Sequence, residues 1–382
     1  MTFSTSRPTI AEIDLAKLRR NLVSCRRFIG PEVKIMAVVK ADAYGHGAVE
    51  CARALEAEGV DWFGVATPEE AIELRSAGVK AGILCLGGFW PGQEPTLIKN
   101  GISPAIFELS AAAELNAAAR NVGSVVPVHI KIDSGMGRLG IRWDGVLELI
   151  EAFKTFPNLS VEGVMTHFAS ADDLSAEDFT RLQVTRFHNA VGAIRAAGHN
   201  PEIIDLSNSP GAIAMGANGG NLVRLGGVLY GLGDDILPQG IAKPELEPIM
   251  SVRSQISHLK TVPAGESIGY GRTCFTKNES KIGAVPIGYH DGYRRAFSNQ
   301  ARMIVRGQFV PVVGRVSMDW TMIDVTGIPN VSLGDEVTII GLNQDASVTA
   351  ANLAGLMNTI SYEVTCGISR RVPRIYVSEP TA

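Results

Sequence analysis

Lys40 occupies a position at which a lysine can act as a nucleophile. It ends an apolar run, Val33–Lys40, and the segment Ala-Asp-Ala-Tyr-Gly-His-Gly follows it. Burial of an amine lowers its pKa, and the neutral amine can condense with an aldehyde. A lysine can equally extend from the end of a strand into solvent while its methylenes stay buried. This residue alone leaves both interpretations open.

Residues that could bind a phosphate follow two later apolar runs. Ser209 follows one run, and the pair Gly226-Gly227 follows the other, directly after Arg224-Leu225. A serine hydroxyl and glycine amides are typical phosphate ligands, although a Gly-Gly pair alone often marks only a tight turn. A lysine that reacts with aldehydes and a phosphate site close to it together suggest pyridoxal phosphate as a cofactor.

The elements that must position these residues are predicted from an alternation of strand and helix patterns. Short apolar runs occur at Val33–Lys40, Trp62–Thr67, Gly82–Gly88, Ser103–Phe107, Val126–Asp133, Val161–Ala169, Glu202–Leu206 and Leu222–Gly227. Helical patterns occur between them at Ala48–Glu58, Pro68–Ser76, Leu109–Arg120, Trp143–Phe156 and Ala176–Ala197. Unbroken apolar runs are typical of parallel strands that are buried on both faces. Eight of them predict an α/β fold with a TIM-type (β/α)8 barrel, with an open doubly wound sheet as the alternative.

A second domain is predicted after about residue 240. The segment Ile241–Pro248 contains two prolines and is typical of a linker. Strand-like runs follow at Met250–Leu259, Lys281–Ile287, Arg302–Val305, Phe309–Val313, Thr321–Val325 and Glu336–Ile340, with one helical stretch near Val348–Met357. We therefore expect a barrel over residues 1–240 and a mainly β domain over residues 241–382.

Composition and charge exclude several classes of protein. Hydrophobic residues make up 46% of the 382 residues and the formal net charge is −4, so the basic surface of a nucleic-acid-binding protein is missing. The N-terminus is not typical of a signal peptide, and no run is long enough to span a bilayer. Five scattered cysteines have no metal-ligand spacing, which favours reduced thiols, no metal and a cytoplasmic location.

Eight motifs together resemble the alanine racemases, pyridoxal-phosphate enzymes of fold type III. The first two are Lys40-Ala-Asp-Ala-Tyr-Gly-His-Gly47 and Ser134-Gly-Met-Gly-Arg-Leu-Gly140. The others are His167-Phe-Ala, Arg224-Leu-Gly, Ile268-Gly-Tyr-Gly271, Gly288-Tyr-His-Asp-Gly292, Gly314-Arg-Val-Ser-Met-Asp319 and Ser361-Tyr-Glu363. The resemblance covers nearly the whole chain in the order of the family, with the barrel before the β domain. It implies an isomerase that interconverts L- and D-alanine, for D-alanine biosynthesis among other uses.

The resemblance implies two catalytic bases, Lys40 and Tyr270. Lys40 would also carry the cofactor, and Tyr270 would act in the barrel of a partner subunit, which makes the protein a homodimer with shared active sites. Two bases on opposite faces of Cα can remove and return a proton without turning the substrate over. A phenol has an ordinary pKa of about 10, so His167 beside Tyr270 and Arg224 behind it would make the phenolate more accessible.

Arg224 would face the pyridine nitrogen of the cofactor. An arginine donates hydrogen bonds and cannot accept a proton, so the nitrogen would stay unprotonated. Less charge then delocalises into the ring, which favours return of the proton to Cα over transamination.

The remaining roles follow from the resemblance alone. Phosphate contacts are implied for Tyr44, Ser209, Gly226, Gly227 and Tyr362. Substrate contacts are implied for Arg138 and for the backbone of Met318. Tyr289, Arg295 and Tyr362 resemble residues of a narrow access channel, and Lys131 matches a position that is a carbamate in some members. Ser317 stands where the family often has cysteine, which removes a possible target for thiol reagents.

Three other activities remain as alternatives. A basic amino-acid decarboxylase has the same two domains but pairs the ring nitrogen with a carboxylate, which Arg224 argues against. A racemase of serine or of broad range shares the family motifs. A non-catalytic pyridoxal-phosphate carrier resembles the barrel alone, so the β domain with Tyr270 argues against it.

Overall fold

The computed structural model describes residues 7–378. The first strand is β1 (Ile10–Asp14). Eight further strands form the barrel, with a two-residue strand beside the fifth of them. They are β2 (Lys34–Val38), β3 (Trp62–Val65), β4 (Gly82–Cys85), β5 (Ser103–Ile106), β6 (Val126–Asp133), the short β7 (Ile141–Arg142), β8 (Leu159–Met165), β9 (Ile203–Asp205) and β10 (Leu222–Leu225). Neighbouring barrel strands pair in parallel in the order β5-β4-β3-β2-β10-β9-β8-β6. Pairing of β5 with β6 closes the cylinder, so the predicted (β/α)8 barrel is confirmed and the open sheet is wrong.

Helices surround the barrel and follow most of its strands. They are α1 (Leu15–Ile29), α2 (Lys40–Gly45), α3 (Ala48–Ala57), α4 (Pro68–Ser76), α5 (Glu94–Asn100), α6 (Leu109–Asn121), α7 (Val146–Phe153), α8 (Glu177–Ala196) and α9 (Ser209–Met215). Local chemistry explains where several begin. The Asp14 carboxylate accepts a hydrogen bond from the Lys17 amide, and Thr67 caps α4 immediately before Pro68. Within residues 7–378, no helix is both long and apolar enough to cross a bilayer.

The C-terminal part is mainly β, as predicted. Its strands are β11 (Met250–Gln255), β12 (His258–Val262), β13 (Ser267–Ile268), β14 (Cys274–Phe275), β15 (Ser280–Val285), β16 (Arg302–Val305), β17 (Gln308–Pro311), β18 (Thr321–Asp324), β19 (Glu336–Asn343), β20 (Ala346–Val348) and β21 (Arg374–Val377). Two short helices, α10 (Ala350–Gly355) and α11 (Ser361–Gly367), lie before β21. The prediction of a single late helix is therefore wrong, because α11 was not recognised.

The N-terminal strand β1 lies in a sheet with strands from the C-terminal part. It pairs antiparallel with β11 and parallel with β21. A buried core runs without interruption from barrel residues such as Leu18 and Ile35 to residues such as Val252 and Ile339 of this sheet. The predicted domain boundary near residue 240 stays a prediction. The chain also passes from one part to the other after β1, because β1 lies in the sheet of the C-terminal part and the barrel strands follow it.

Candidate active site

A left-handed turn directly after Lys40 shapes the end of the first barrel strand. Four consecutive residues, Ala41 to Tyr44, have φ between 53° and 56°. This conformation costs an L-residue roughly 1–2 kcal/mol. Contacts from neighbouring elements offset the cost: the Ala41 amide donates to Glu70 Oε1 at 2.7 Å, and the Ala48 amide donates to Asp42 Oδ1 at 2.8 Å. The turn fixes Lys40 and Tyr44 relative to the barrel axis.

Lys40 lies among other cations in the barrel mouth. Burial lowers the pKa of its amine, and the nearby Arg138 and Arg224 lower it further, while Glu70 acts in the opposite direction. These surroundings support the prediction that the Lys40 amine is desolvated. An amine of this kind is neutral more often than an exposed lysine and is a better nucleophile and base.

Lys131 extends into the same mouth from the end of β6. Its Nζ donates to the Leu86 carbonyl at 2.9 Å. Burial, followed by the charges of Arg224, Arg138 and Lys40, lowers its pKa to about 8. Lys40, Lys131, Arg224 and the exposed Arg138 therefore lie within electrostatic reach of one another, which produces a positive potential suited to a phosphate or a carboxylate.

Arg224 is buried at the end of β10 and contacts several groups at once. Its Nη2 donates to the Thr166 carbonyl at 2.7 Å and to His167 Nδ1 at 3.1 Å. Because a guanidinium only donates, His167 Nδ1 accepts, which leaves the imidazole proton on Nε2. Burial and the neighbouring cations, Arg224 first, hold the pKa of His167 well below its ordinary value. Its ring is therefore neutral, with the Nε2 proton free to be donated.

A pocket bounded by two tyrosines lies at the ends of β9 and β10. The Gly226 amide donates to Ser209 Oγ at 2.9 Å. A Cβ atom added at Gly226 would lie 2.6 Å from the Tyr44 hydroxyl, and one at Gly227 would lie 2.4 Å from the Tyr362 hydroxyl. The Tyr44 and Tyr362 rings contact edge to face with centroids 4.9 Å apart. Only glycine permits this close approach of hydroxyl groups to the backbone.

Tyr270 lies on the surface of the C-terminal part. Its side chain is 73% exposed. It borders an open cavity of about 450 Å³ whose other lining residues, including Arg315, Ser317 and Trp320, all belong to residues 260–322. Met318 and Tyr289 are exposed as well. Arg295 shares this exposure, so these four residues present polar and apolar groups to the outside of the chain.

Comparisons with known proteins cover both parts of the chain. A family model described as alanine racemase, N-terminal domain, matches residues 13–234, and one described as alanine racemase, C-terminal domain, matches residues 249–376. The chain belongs to the alanine racemase family. The family predicted from the sequence motifs is therefore confirmed.

Individual alanine racemases are similar over almost their full length. The protein from Geobacter sulfurreducens is 45% identical over 378 residues, which are 98% of each chain. A solved alanine racemase from Clostridium difficile superposes with a TM-score of 0.91 at 38% identity, covering 98% of this chain and 97% of that one. The structure from Bartonella henselae, described with covalently bound pyridoxal phosphate, has a TM-score of 0.85 at 28% identity and covers 97% of this chain and 99% of that one.

Most residues that the alanine racemase motifs predict for one site come together in the barrel mouth. Lys40, Lys131, Arg138, His167 and Arg224 influence one another electrostatically. Tyr44, Ser209, Gly226, Gly227 and Tyr362 form the neighbouring pocket. Tyr270, Met318, Tyr289 and Arg295 are exposed on the β-rich part instead. Their roles stay predictions.

The sequence interpretation missed two acidic residues of the site. Glu70 accepts hydrogen bonds from the amides of Ala41 and Ala66 and so fixes the turn after Lys40. Asp205 ends β9, is completely buried and forms an ion pair with Arg224. An acid inside the apolar run Glu202–Leu206 was a signal that could have identified Asp205, because an ionised carboxylate is rarely buried without a partner.

Proposed function

We propose that this protein interconverts L- and D-alanine with pyridoxal phosphate bound at Lys40. One observation supports the proposal most strongly: a half-buried Lys40, whose pKa is lowered by desolvation and then by Arg138 and Arg224, lies in the mouth of a closed barrel. Membership of the alanine racemase family and similarity over both domains support the same activity. The decarboxylase and carrier alternatives are less well supported, since the related proteins found are alanine racemases.

The residues of the barrel mouth fit pyridoxal phosphate. Gly226 and Gly227 let the hydroxyl groups of Tyr44 and Tyr362 come close to backbone amides, an approach that a Cβ at either position would block. Burial raises the pKa of both tyrosines, so each hydroxyl keeps its proton and can donate to a phosphate oxygen. Ser209 would bind on the same side, and Lys40 would bind the aldehyde carbon. When bound, the cofactor withdraws electrons from the substrate Cα and so makes its proton acidic.

Lys40 and Tyr270 would act as the two bases on opposite faces of the substrate. Lys40 Nζ would accept or return the Cα proton on one face, helped by its lowered pKa. The hydroxyl of the partner subunit's Tyr270 would do so on the other face. Neutral His167 would donate its Nε2 proton to the phenolate oxygen, which stabilises that anion.

Arg224 would direct the proton back to Cα. Its guanidinium donates to His167 and would also donate to the ring nitrogen of the cofactor, which it cannot protonate. Arg138 would bind the cofactor phenolic oxygen and the substrate carboxylate side, and the backbone N–H of Met318 in the partner would bind the carboxylate. Lys131 would support Arg138, while Tyr289, Arg295 and Tyr362 would narrow the access channel.

The proposed active unit is a cytoplasmic homodimer in which residues 1–240 supply the barrel and residues 241–382 supply Tyr270 to the partner. The 73% exposure of Tyr270 supports this arrangement, because an essential base in one chain would otherwise lie in solvent. Three buried free thiols, Cys25, Cys51 and Cys85, are consistent with a reducing compartment.

A mixing experiment tests the shared site. Lys40→Ala and Tyr270→Phe are each expected to be inactive, but a mixed dimer has one site with both substitutions and one wild-type site. After random subunit exchange at equal amounts, about one quarter of all sites would be intact, so about one quarter of wild-type activity should return. No recovery, with exchange confirmed by mass spectrometry, would show that both bases act within one chain.

Polarimetry on single enantiomers tests the reaction and its substrate range. We expect alanine to lose its optical rotation fastest, with serine and basic amino acids at least tenfold slower. Equal rates on serine or basic amino acids would replace the alanine assignment by a broad-range racemase. A protein that forms no visible absorption band with pyridoxal phosphate, or a Lys40→Ala variant with full activity, would contradict the proposed function itself.

A further inference from the structure

The carboxylate of Asp205 is isolated in the barrel interior except for its contact with Arg224. Asp205 has no exposed surface, and its Oδ1 forms an ion pair with Nη1 of Arg224. Among residues 7–378, its two oxygens have no other hydrogen-bond donor in reach. A buried carboxylate without a partner is costly, so the contact with the Arg224 guanidinium is what stabilises the Asp205 carboxylate in the barrel interior.

We propose that Asp205 is a positioning residue that holds the Arg224 guanidinium in place and offsets its positive charge beneath the cofactor site. The inference deepens the proposed function, because it rests on Arg224 facing the ring nitrogen of the cofactor. It adds an acid to the site without placing that acid against the ring.

The positioning role of Asp205 follows from the partners that each terminal nitrogen of Arg224 contacts. Nη2 donates to the carbonyls of Thr166 and Leu206, at 2.7 Å and 3.3 Å, and to His167 Nδ1 at 3.1 Å. Nη1 contacts Asp205. A planar guanidinium held through both terminal nitrogens cannot turn about its own axis, so its remaining N–H groups keep a fixed direction.

The charge part follows from the number of cations nearby. Lys40, Lys131, Arg138 and Arg224 all lie within electrostatic reach of one another. Asp205 is the fully buried acid that faces this group. The other charged or titratable groups near Asp205 are His129 and Lys131, and Nε2 of His129 lies 3.4 Å from Oε2 of Glu162. Removal of the Asp205 charge would therefore leave Arg224 uncompensated.

The arrangement explains how an acid can be present without promoting transamination. A carboxylate that touches the pyridine nitrogen keeps it protonated and draws negative charge into the ring. Here Arg224 would lie between the acid and the ring, so Asp205 would fix and balance the donor and would not supply a proton to the ring. The ring would thus receive a rigid donor whose own charge is paired with Asp205.

The charge part is tested on the holoenzyme by labelling Lys131. A small acylating reagent is applied at a series of pH values in buffer without carbon dioxide, and the labelled peptide is quantified by mass spectrometry. Loss of one charge within about 10 Å at an effective dielectric constant of about 20 shifts a pKa by on the order of one unit. We expect the labelling midpoint of Lys131 to fall by about one pH unit in Asp205→Asn and to stay unchanged in Asp205→Glu.

Glu162→Gln is the matched control, because it removes a half-buried carboxylate of the same barrel that does not touch Arg224. An equal midpoint in Asp205→Asn and wild type would overturn the charge part, and so would an equal fall in Asp205→Asn and Glu162→Gln. This measurement follows no turnover of alanine, so its failure is distinguishable from a failure of the proposed function.

The positioning part is tested by the side reaction. In transamination, alanine leaves as pyruvate while the bound cofactor takes the amino group. We expect pyruvate formed per racemisation turnover to rise at least tenfold in Asp205→Leu, whose Arg224 can turn away, and to stay near wild type in Asp205→Glu. Slower racemisation with an unchanged ratio would reduce Asp205 to a purely structural role and overturn the inference. Should Asp205→Leu fail to fold, Asp205→Ala, which keeps Arg224 and also removes its anionic partner, is expected to give the same rise in the ratio, and an unchanged ratio there would overturn the inference.

Discussion

Gly227→Ala is expected to weaken cofactor binding without unfolding the protein. The added Cβ would lie 2.2 Å from Tyr362 Cε1 and 2.4 Å from its hydroxyl, whereas an ordinary contact begins near 3.4 Å. The Tyr362 ring would therefore have to move by about 1.2 Å, the difference between 3.4 Å and 2.2 Å. Gly227 begins a 3₁₀ turn and does not have a positive φ, so the backbone itself accepts alanine.

The magnitude follows from the two consequences of this movement. Overpacking of a buried ring costs about 1–3 kcal/mol, which leaves a typical fold intact. Displacement of one hydroxyl from a charged phosphate costs a further 1.5–3 kcal/mol or so of binding, which corresponds to about a 10- to 100-fold higher Kd. The substitution should therefore weaken cofactor binding while the protein stays folded.

Titration of cofactor-free protein with pyridoxal phosphate, followed by absorbance, measures the Kd, and denaturant unfolding without cofactor measures stability. Gly192→Ala is the control, because it lies within α8 and no atom would approach its Cβ within 4 Å. It should bind the cofactor as wild type does and be stabilised by up to about 1 kcal/mol. Wild-type affinity in Gly227→Ala would refute the assignment of this pocket to the phosphate.

Two further predictions concern single residues. Tyr270→Phe should change the free energy of unfolding by less than about 0.5 kcal/mol, because the side chain is exposed. It should nevertheless abolish the exchange of the α-proton with deuterated solvent for one alanine enantiomer only. Equal loss of exchange for both enantiomers would contradict the two-base assignment. His46 is buried with its pKa lowered to about 4, chiefly by burial, so the unfolded chain binds a proton first as the pH falls and stability is lost between about pH 6.5 and 4. We expect wild type to lose about 2 kcal/mol more than His46→Asn between pH 7.5 and 5 in denaturant unfolding, and equal losses would refute this origin of the pH dependence.

The barrel could be predicted from the sequence because its strands are buried on both faces. Runs such as Gly82–Gly88 are continuous and apolar, and their spacing leaves room for one helix each. The N-terminal strand β1 could not be predicted in the same way. It is five residues long, and its partners β11 and β21 lie more than 200 residues away in the chain. Only the tertiary fold decides that such a segment becomes a strand.

The parts of the candidate site whose chemistry follows from the residue type could be predicted from the sequence. The parts that depend on the backbone conformation could not. Lys40 at the end of a strand indicated its own importance. The left-handed turn at Ala41–Tyr44 has no local signal, because none of its four residues is glycine and all of them disfavour that conformation. It exists because Glu70 accepts from the Ala41 amide and because the Asp42 carboxylate accepts from the Ala48 amide at the start of α3. Tyr362 was recognised by motif, but its helix α11 was not, since no cap precedes Ser361 in the sequence pattern.

The electrostatics of the barrel mouth connect these features. Arg138 and Arg224 lower the pKa of Lys40, and they lower that of Lys131 together with Lys40. These cations act on one another in this way because little negative charge lies among them. A bound phosphate and a substrate carboxylate would supply that missing charge. Glu70 supplies part of it at Lys40, and Asp205 pairs with Arg224 and acts on Lys131, so the four cations still outnumber these two acids. The mouth is therefore built in advance for two anionic groups, and Asp205 fixes the Arg224 donor while part of the positive charge stays free for the ligand.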